Sequence, residues 1–219
     1  MQLSHKLKCL ILLIGCCAII ACGKADEYVA EETYSNGQLK SKGMMKIDES
    51  GNYAKHGTWE YWYKDGKPKK QCTYILNKLD GKFVTFYESG KKNEEGTYKK
   101  HEKNGKWTTW NPQSVKIEEV DYTSGIMDGV YKKWTDEGKL VSEGNYKNGK
   151  KNGRWTIYHA NGQRAEDGNY TNGTKNGKWN LWDNSGKMLE TVYYENGRLG
   201  SSRNFDSSKP AMPSPSRIQ

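Results

Sequence analysis

Beyond residue 22, the side chains with which this chain could do chemistry are few: His56, His101, His159, Cys72 and a recurring set of glutamates. The histidines stand at unrelated points of the sequence. None has a second His, a Cys or a clustered acid at the spacing a metal ion needs, so they are expected in turns or at the surface. Cys72 occupies a position that elsewhere holds Gly or Val, which suits a small buried side chain better than a nucleophile. Glu94, Glu95, Glu118, Glu119, Glu143 and Glu166 could face one another as paired carboxylates do in glycoside hydrolysis. They alternate with equally regular lysines, and a solvated row of ion pairs is the expected arrangement. The many Asn-Gly-Lys triplets read as turns, because no helix follows them to turn its amides on a phosphate. No catalytic residue, no metal ligand and no cofactor site is expected, and the chain is read as non-enzymatic.

The N-terminus carries an address. Lys6 and Lys8 precede an apolar run from Cys9 to Ala21 that is too short to span a bilayer as a stable helix. A basic stretch followed by an apolar run of this length is the pattern of a secretory signal. Its end, Ile19-Ile20-Ala21-Cys22, resembles a bacterial lipobox, which implies cleavage before Cys22 and lipidation of that thiol. Leu13-Ile14-Gly15-Cys16 fits the same pattern but leaves a very short apolar run. With Gly23 after Cys22 there is no Asp to signal inner-membrane retention, so the resemblance favours the outer membrane. Lys24-Ala25-Asp26-Glu27 weakly resembles the acidic signals of surface-exposed lipoproteins. The expected location is the cell envelope, lipid-anchored. Once this segment is removed Cys72 is the one remaining cysteine, so the fold is expected to hold without a disulfide.

The elements that must position everything else are legible as a repeat. Apolar residues make up 34% of the chain and mean hydropathy is −1.02, values that point toward disorder. Eight Trp, 15 Tyr and 3 Phe point the other way, and with 24 Gly they suit thin β-structure with many turns. Gly57, Gly81, Gly105, Gly129, Gly153 and Gly177 lie 24 apart. Two residues after each comes Trp59, Phe83, Trp107, Tyr131, Trp155 or Trp179. Five after comes Trp62, Phe86, Trp110, Trp134, Tyr158 or Trp182, and seventeen after always comes Tyr, from Tyr74 to Tyr194. Fifteen after come Cys72, Gly96, Val120, Gly144, Gly168 and Val192, where Gly leaves room for a neighbouring ring to lie across the backbone.

Each unit is expected to be a β-hairpin, with Asn104-Gly105, Asp128-Gly129, Asn152-Gly153 and Asn176-Gly177 as tight turns between units. Alternation places Trp155 and Tyr158 on opposite faces. The third unit has Asn111-Pro112-Gln113-Ser114 where others have a Gly turn, and its hairpin is expected to be looser. Extra chain interrupts the pattern near Ile47–Tyr53. The expected organisation is a signal peptide at 1–21, a lipidated Cys and tether at 22–32, a half-unit plus six units at 33–198, and a disordered Ser/Pro tail at 199–219. Deleting one period, Gly129–Asn152, leaves the junction Asp128-Gly153 and is expected to preserve the fold.

Gly144-Asn-Tyr-Lys-Asn-Gly-Lys-Lys-Asn-Gly-Arg-Trp155, followed by Tyr158 and Asn161-Gly162, resembles the bacterial variant of the MORN repeat. The resemblance covers roughly Tyr34 to Arg198. It implies an all-β fold: an elongated single-layer antiparallel meander of 24-residue hairpins. Proteins of this kind often carry the label YwqK-type antitoxin, which implies an antitoxin or immunity role as one alternative.

An extended array with aromatics and a basic fringe suits distributed binding, most simply to another protein. The candidate binding aromatics are Trp59, Tyr61, Trp62, Tyr63, Trp110, Trp134, Tyr158 and Trp182, densest in the first unit. Choline- and glucan-binding repeats are also Trp/Tyr-rich hairpins, and Trp59-Glu-Tyr-Trp-Tyr63 resembles theirs, so an envelope glycan is a further alternative. The formal charge of +9 allows contact with anionic lipid. Nucleic acid is not expected as a partner of an exported chain.

Overall fold

In the computed structural model, residues 26–204 are described; Cys22, the signal-peptide assignment and the part of the tail assignment beyond residue 204 lie outside them. Fifteen strands form one antiparallel sheet in strict chain order. They are β1 (Glu27–Thr33), β2 (Leu39–Ile47), β3 (Tyr53–Trp62), β4 (Pro68–Ile75), β5 (Lys78–Phe86), β6 (Lys92–Lys99), β7 (Glu102–Trp110), β8 (Lys116–Thr123), β9 (Ile126–Trp134), β10 (Leu140–Lys147), β11 (Lys150–Tyr158), β12 (Arg164–Thr171), β13 (Thr174–Trp182), β14 (Met188–Glu195) and β15 (Arg198–Asn204). At about 4.8 Å per strand the sheet measures about 67 Å across its strands. The sheet runs past both expected limits of the array. Glu27–Glu32, assigned to the tether, pair with β2, and Leu199–Asn204, assigned to the tail, pair with β14.

The two kinds of connection alternate. Odd strands pass to even ones through four-residue turns closed by paired backbone bonds, as in Tyr63 N–H to the Lys67 carbonyl and Gly66 N–H to the Tyr63 carbonyl. The Asn111–Val115 turn closes in the same way, with both bonds at 2.9 Å. It is not looser. Ser114 takes the left-handed conformation (φ 73°) that Gly holds in the other turns, and the buried Asn111 side chain supports it by accepting from the amides of Gln113 and Val115 and donating to the Asp136 carbonyl.

Even strands pass to odd ones through two-residue turns with φ positive at both positions, such as Asn148 (49°) and Gly149 (75°). The expected placement of these turns needs correction. Asn152-Gly153 and its equivalents lie inside the strands, four residues later. There Gly153 (φ 75°) forms a bulge in which Gly153, Arg154 and Trp155 oppose the single residue Gly144. The longer link Asp48–Asn52, between β2 and β3, absorbs the extra chain.

The bulge explains the core. It swings each Trp back over the preceding strand, where the ring lies on a glycine. A Cβ on Gly43, Gly96, Gly144 or Gly168 would stand 2.3 Å from the indole of Trp59, Trp107, Trp155 or Trp179. Each indole N–H then donates to the carbonyl just after that glycine: Met44, Thr97, Asn145 and Asn169. Where the ring is smaller the glycine is gone, with Cys72 before Phe83 and Val120 before Tyr131. A third position follows the same rule. Lys55, Lys103, Lys151 and Lys175 hold their ammonium groups 4.4, 3.8, 4.2 and 4.1 Å from the Trp rings. Leu79 and Met127 take that place before Phe83 and Tyr131. The tyrosine seventeen after each unit Gly meets these rings edge-on, as Tyr146 and Tyr170 meet Trp155 at 5.4 and 5.8 Å. Trp155 and Trp179 are at most 1% exposed although the sheet has no second layer over it.

Burial makes these tyrosines a pH-sensitive element. Desolvation is the largest cause that raises the phenols of Tyr98, Tyr122, Tyr146 and Tyr170 above the ordinary value of 10.0, and it raises Tyr131 as well. A group raised on folding stabilises fully below its unfolded value and loses that contribution as pH climbs through its folded value. Lys151, lowered by burial and then by Lys175, works in the opposite sense, but it is one group against these five and the likewise raised Tyr63, Tyr74 and Tyr158. The melting temperature is expected to hold steady from pH 7 to about pH 9 and to fall above about pH 10. Thermal melts beside tyrosinate absorbance check this, and a melting point unchanged well above pH 10 would contradict ring burial.

Candidate functional site

Trp155 and Tyr158 do stand on opposite faces. Tyr158 donates 2.7 Å to Glu143, whose register partner is Thr156, one residue from the Trp155 ring on the other side. One broad face carries the ladder of buried rings. The opposite face carries Asp167, Asn180 and Thr191, linked by hydrogen bonds, with Thr156 as the register partner of Asp167 and an Arg154–Asp167 ion pair.

The aromatics five residues after each unit Gly lie along that second face, one per hairpin and about 10 Å apart. Lys92 stands 5.5 Å from the Trp110 ring and Lys116 stands 4.6 Å from Trp134. Trp182 is half-buried, and its carbonyl lies 2.8 Å from His159 Nε2, which must donate because a carbonyl only accepts. Five of the six recurring glutamates sit in ion pairs, Glu94 with Lys103, Glu95 with Lys92, Glu166 with Lys175, Glu143 with Lys132, and Glu119 with both Lys106 and Lys116, while Glu118 accepts a hydrogen bond from Tyr131. Burial pushes the Glu119 carboxyl up, but hydrogen bonds from the two lysines outweigh it and hold it below the usual range. The bond from Tyr158 is the main cause that lowers Glu143. Among the described residues no group of three or more His, Cys, Asp or Glu could hold a metal ion.

In the first units the expected residues divide. Trp59 is 4% exposed under Lys55 and against Gly43, so its ring belongs to the ladder and is not a binding surface. Tyr61, Trp62 and Tyr63 come together at a shallow cleft of about 370 Å³. Its walls include two residues that sequence reasoning missed as a column. Tyr34 and Tyr63 each donate a phenol hydrogen bond to the next hairpin, to the Trp62 and Phe86 carbonyls at 2.9 and 2.6 Å. Tyr87 does the same to Trp110 at 2.7 Å. The column was visible six residues after each unit Gly, but it changes to Asn111, Thr135, His159 and Asp183 farther on. Also missed were Lys40, Lys69 and Lys70, which line the same cleft. Lys69 lies 5.4 Å from the Tyr63 ring and Lys70 4.0 Å from Tyr61.

A single-layer sheet whose hairpins are held edge to edge by rings, lysines and straps defines a repeat array, with its two broad faces and this cleft as the surfaces on offer. The chain belongs to the MORN repeat variant family, which it matches over residues 55–75, 79–100, 127–148, 151–172 and 175–199. The unmatched stretch 101–126 holds β7 and β8, which pair as the other hairpins do. No curated protein matches the sequence. Among solved structures, the crystal structure of TcdB2-TccC3-Cdc42 is similar at 10% identity and a TM-score of 0.18, over 76% of this chain and 12% of that one. The present chain thus spans only a small part of that protein. A protein of unknown function from Bacteroides fragilis is similar at 11% identity and a TM-score of 0.13, over 83% of this chain and 94% of that one.

Proposed function

We propose that the protein is a non-enzymatic binding scaffold, held at the bacterial cell envelope through a lipid on Cys22, and that another protein binds along its array. The observation that carries this reading is the architecture. Among the described residues fifteen strands in one layer leave two broad faces open, and a half-buried aromatic recurs five residues after every unit Gly, with a lysine beside it at Trp110–Lys92 and Trp134–Lys116. Similar patches in series give affinity by addition rather than by one anchor.

Cys22→Ser is expected to abolish palmitate incorporation and to release the protein from the membrane fraction; continued labelling would move the modified residue to Cys16. The binding claim is tested by capturing partners from envelope extract on the full chain and titrating them against variants that lack one repeat. Affinity is expected to fall in steps with each repeat removed. Affinity untouched by most deletions and lost with one would replace the distributed surface with a single site.

A further inference from the structure

The first unit breaks the charge rule of the array. On the return strand, the position that holds Glu94, Glu118 and Glu166 in other units holds Lys70 in this one, and the residue before it is Lys69. The change does not compensate for a missing ladder lysine, because Glu118 stays acidic although the following ladder position is Met127. The β3–β4 register pairs Tyr61 with Lys70 and Trp62 with Pro68, so Lys69 is the bulged residue, and both lysines stand over rings of the same face. Among the described residues neither forms an ion pair. The nearby acids are already engaged, Glu32 by Lys40 and Glu94 by Lys103.

The cleft beside these lysines is pre-formed. Tyr34 and Tyr63 cannot swing away without giving up their bonds to the next hairpin. Thr85 lines the same cleft and has a buried hydroxyl with no hydrogen-bond partner, an unspent polar group of the kind a native fold rarely leaves. The half-buried rings of Trp62 and Phe86 offer apolar surface to the C–H groups of a sugar, a hydroxyl and the Asn93 amide suit sugar hydroxyls, and two ammonium groups without an ion pair call for an anion. We infer that this cleft is a binding site for an acidic saccharide, a sugar carrying a carboxylate, sulfate or phosphate. The site shares Trp62 and Phe86 with the aromatic column of the surface proposed above, but saccharide binding is read without any protein partner, so the two proposals fail separately.

Two sources supply that chemistry, a polysaccharide chain and a free sugar acid. Calorimetric titration of the full chain with tetragalacturonate, galacturonate, neutral maltotetraose and inorganic phosphate separates them. Tetragalacturonate is expected to bind with an affinity that falls as salt rises, at least tenfold more tightly than maltotetraose or phosphate. Galacturonate binding equally well would assign the free sugar acid, with the site unchanged. Lys69→Gln with Lys70→Gln is expected to weaken tetragalacturonate at least tenfold. Thr85→Val, which keeps the shape and removes the hydroxyl, is expected to weaken it several-fold. Lys139→Gln with Lys187→Gln, the same charge change at distant turns, is expected to leave it unaltered. The inference is overturned if no saccharide binds, if phosphate binds as well as the sugar acid, or if the distant pair of substitutions weakens binding as much as the local pair.

Discussion

Gly144→Val is expected to unfold the centre of the array at temperatures the parent withstands. The added Cβ alone would stand 2.3 Å from the Trp155 ring. That ring cannot retreat, because Tyr131 stacks 5.4 Å away, Lys151 covers it at 4.2 Å, and its N–H is bound to the Asn145 carbonyl. Overpacking costs about 1–3 kcal/mol and a held ring puts this site at the upper end, while losing the buried indole contacts altogether would cost about 3–5 kcal/mol. The decisive result is the rescue. Val120, Met127 and Tyr131 already form the alternative set within this chain. The triple variant Gly144→Val, Lys151→Met, Trp155→Tyr is therefore expected to recover most of the loss, although each added change removes a native contact. Chemical denaturation of the parent, the single and the triple variant measures this. A triple variant no more stable than the single one would mean that the three positions are not coupled.

The same coupling decides which repeats can be removed. The period alone recommends deleting Gly129–Asn152, since the junction Asp128-Gly153 preserves the local sequence. The structure reverses that expectation. The deletion would place Val120 beneath Trp155 and Met127 where Lys151 belongs, joining the halves of two different sets. Deleting Asn145–Gly168, also 24 residues, joins Gly144 to Asn169 and sets Gly144 beneath Trp179 with Lys175 above it, a complete native set. The second variant is expected to melt close to the parent, and the first to lose about 1–3 kcal/mol from the same kind of clash. Equal melting of the two would show that repeat boundaries are interchangeable. Stepwise binding measurements need the second kind of deletion, or a folding defect will be read as lost affinity.

Much of this was legible in the residues, because rings that share a face must recur in phase. The columns at two and seventeen residues, the alternation of Trp155 and Tyr158, and the room left by glycine all follow from strand geometry. The tight turns were misplaced because an Asn-Gly pair can stand at either of two places four residues apart, as at Asn148-Gly149 and Asn152-Gly153. Both need positive φ, and only the pairing of β10 with β11 tells turn from bulge. Gly144 and Trp155 were each visible in their own columns, but their dependence on one another crosses a repeat boundary and appears only when neighbouring strands are laid side by side. The cleft was missed for a similar reason: Tyr34, Tyr63 and Thr85 come from three successive hairpins.

The two margins of the sheet carry a mechanical consequence. On one margin each two-residue turn donates to a carbonyl of the preceding unit, as Gly149 N–H does to Met127 and Gly173 N–H to Lys151. On the other, Tyr34, Tyr63, Tyr87, Asn111 and His159 reach forward to the next hairpin. A ribbon stitched along both selvedges resists shear and splaying within its own plane, because adjacent hairpins cannot slide without breaking the stitches on both sides. Among the described residues nothing braces it from above or below, so its compliance lies in flexing and twisting out of plane. Whatever grips one end of such a ribbon is kept at a set distance from whatever grips the other, while the angle between them stays free to follow the load.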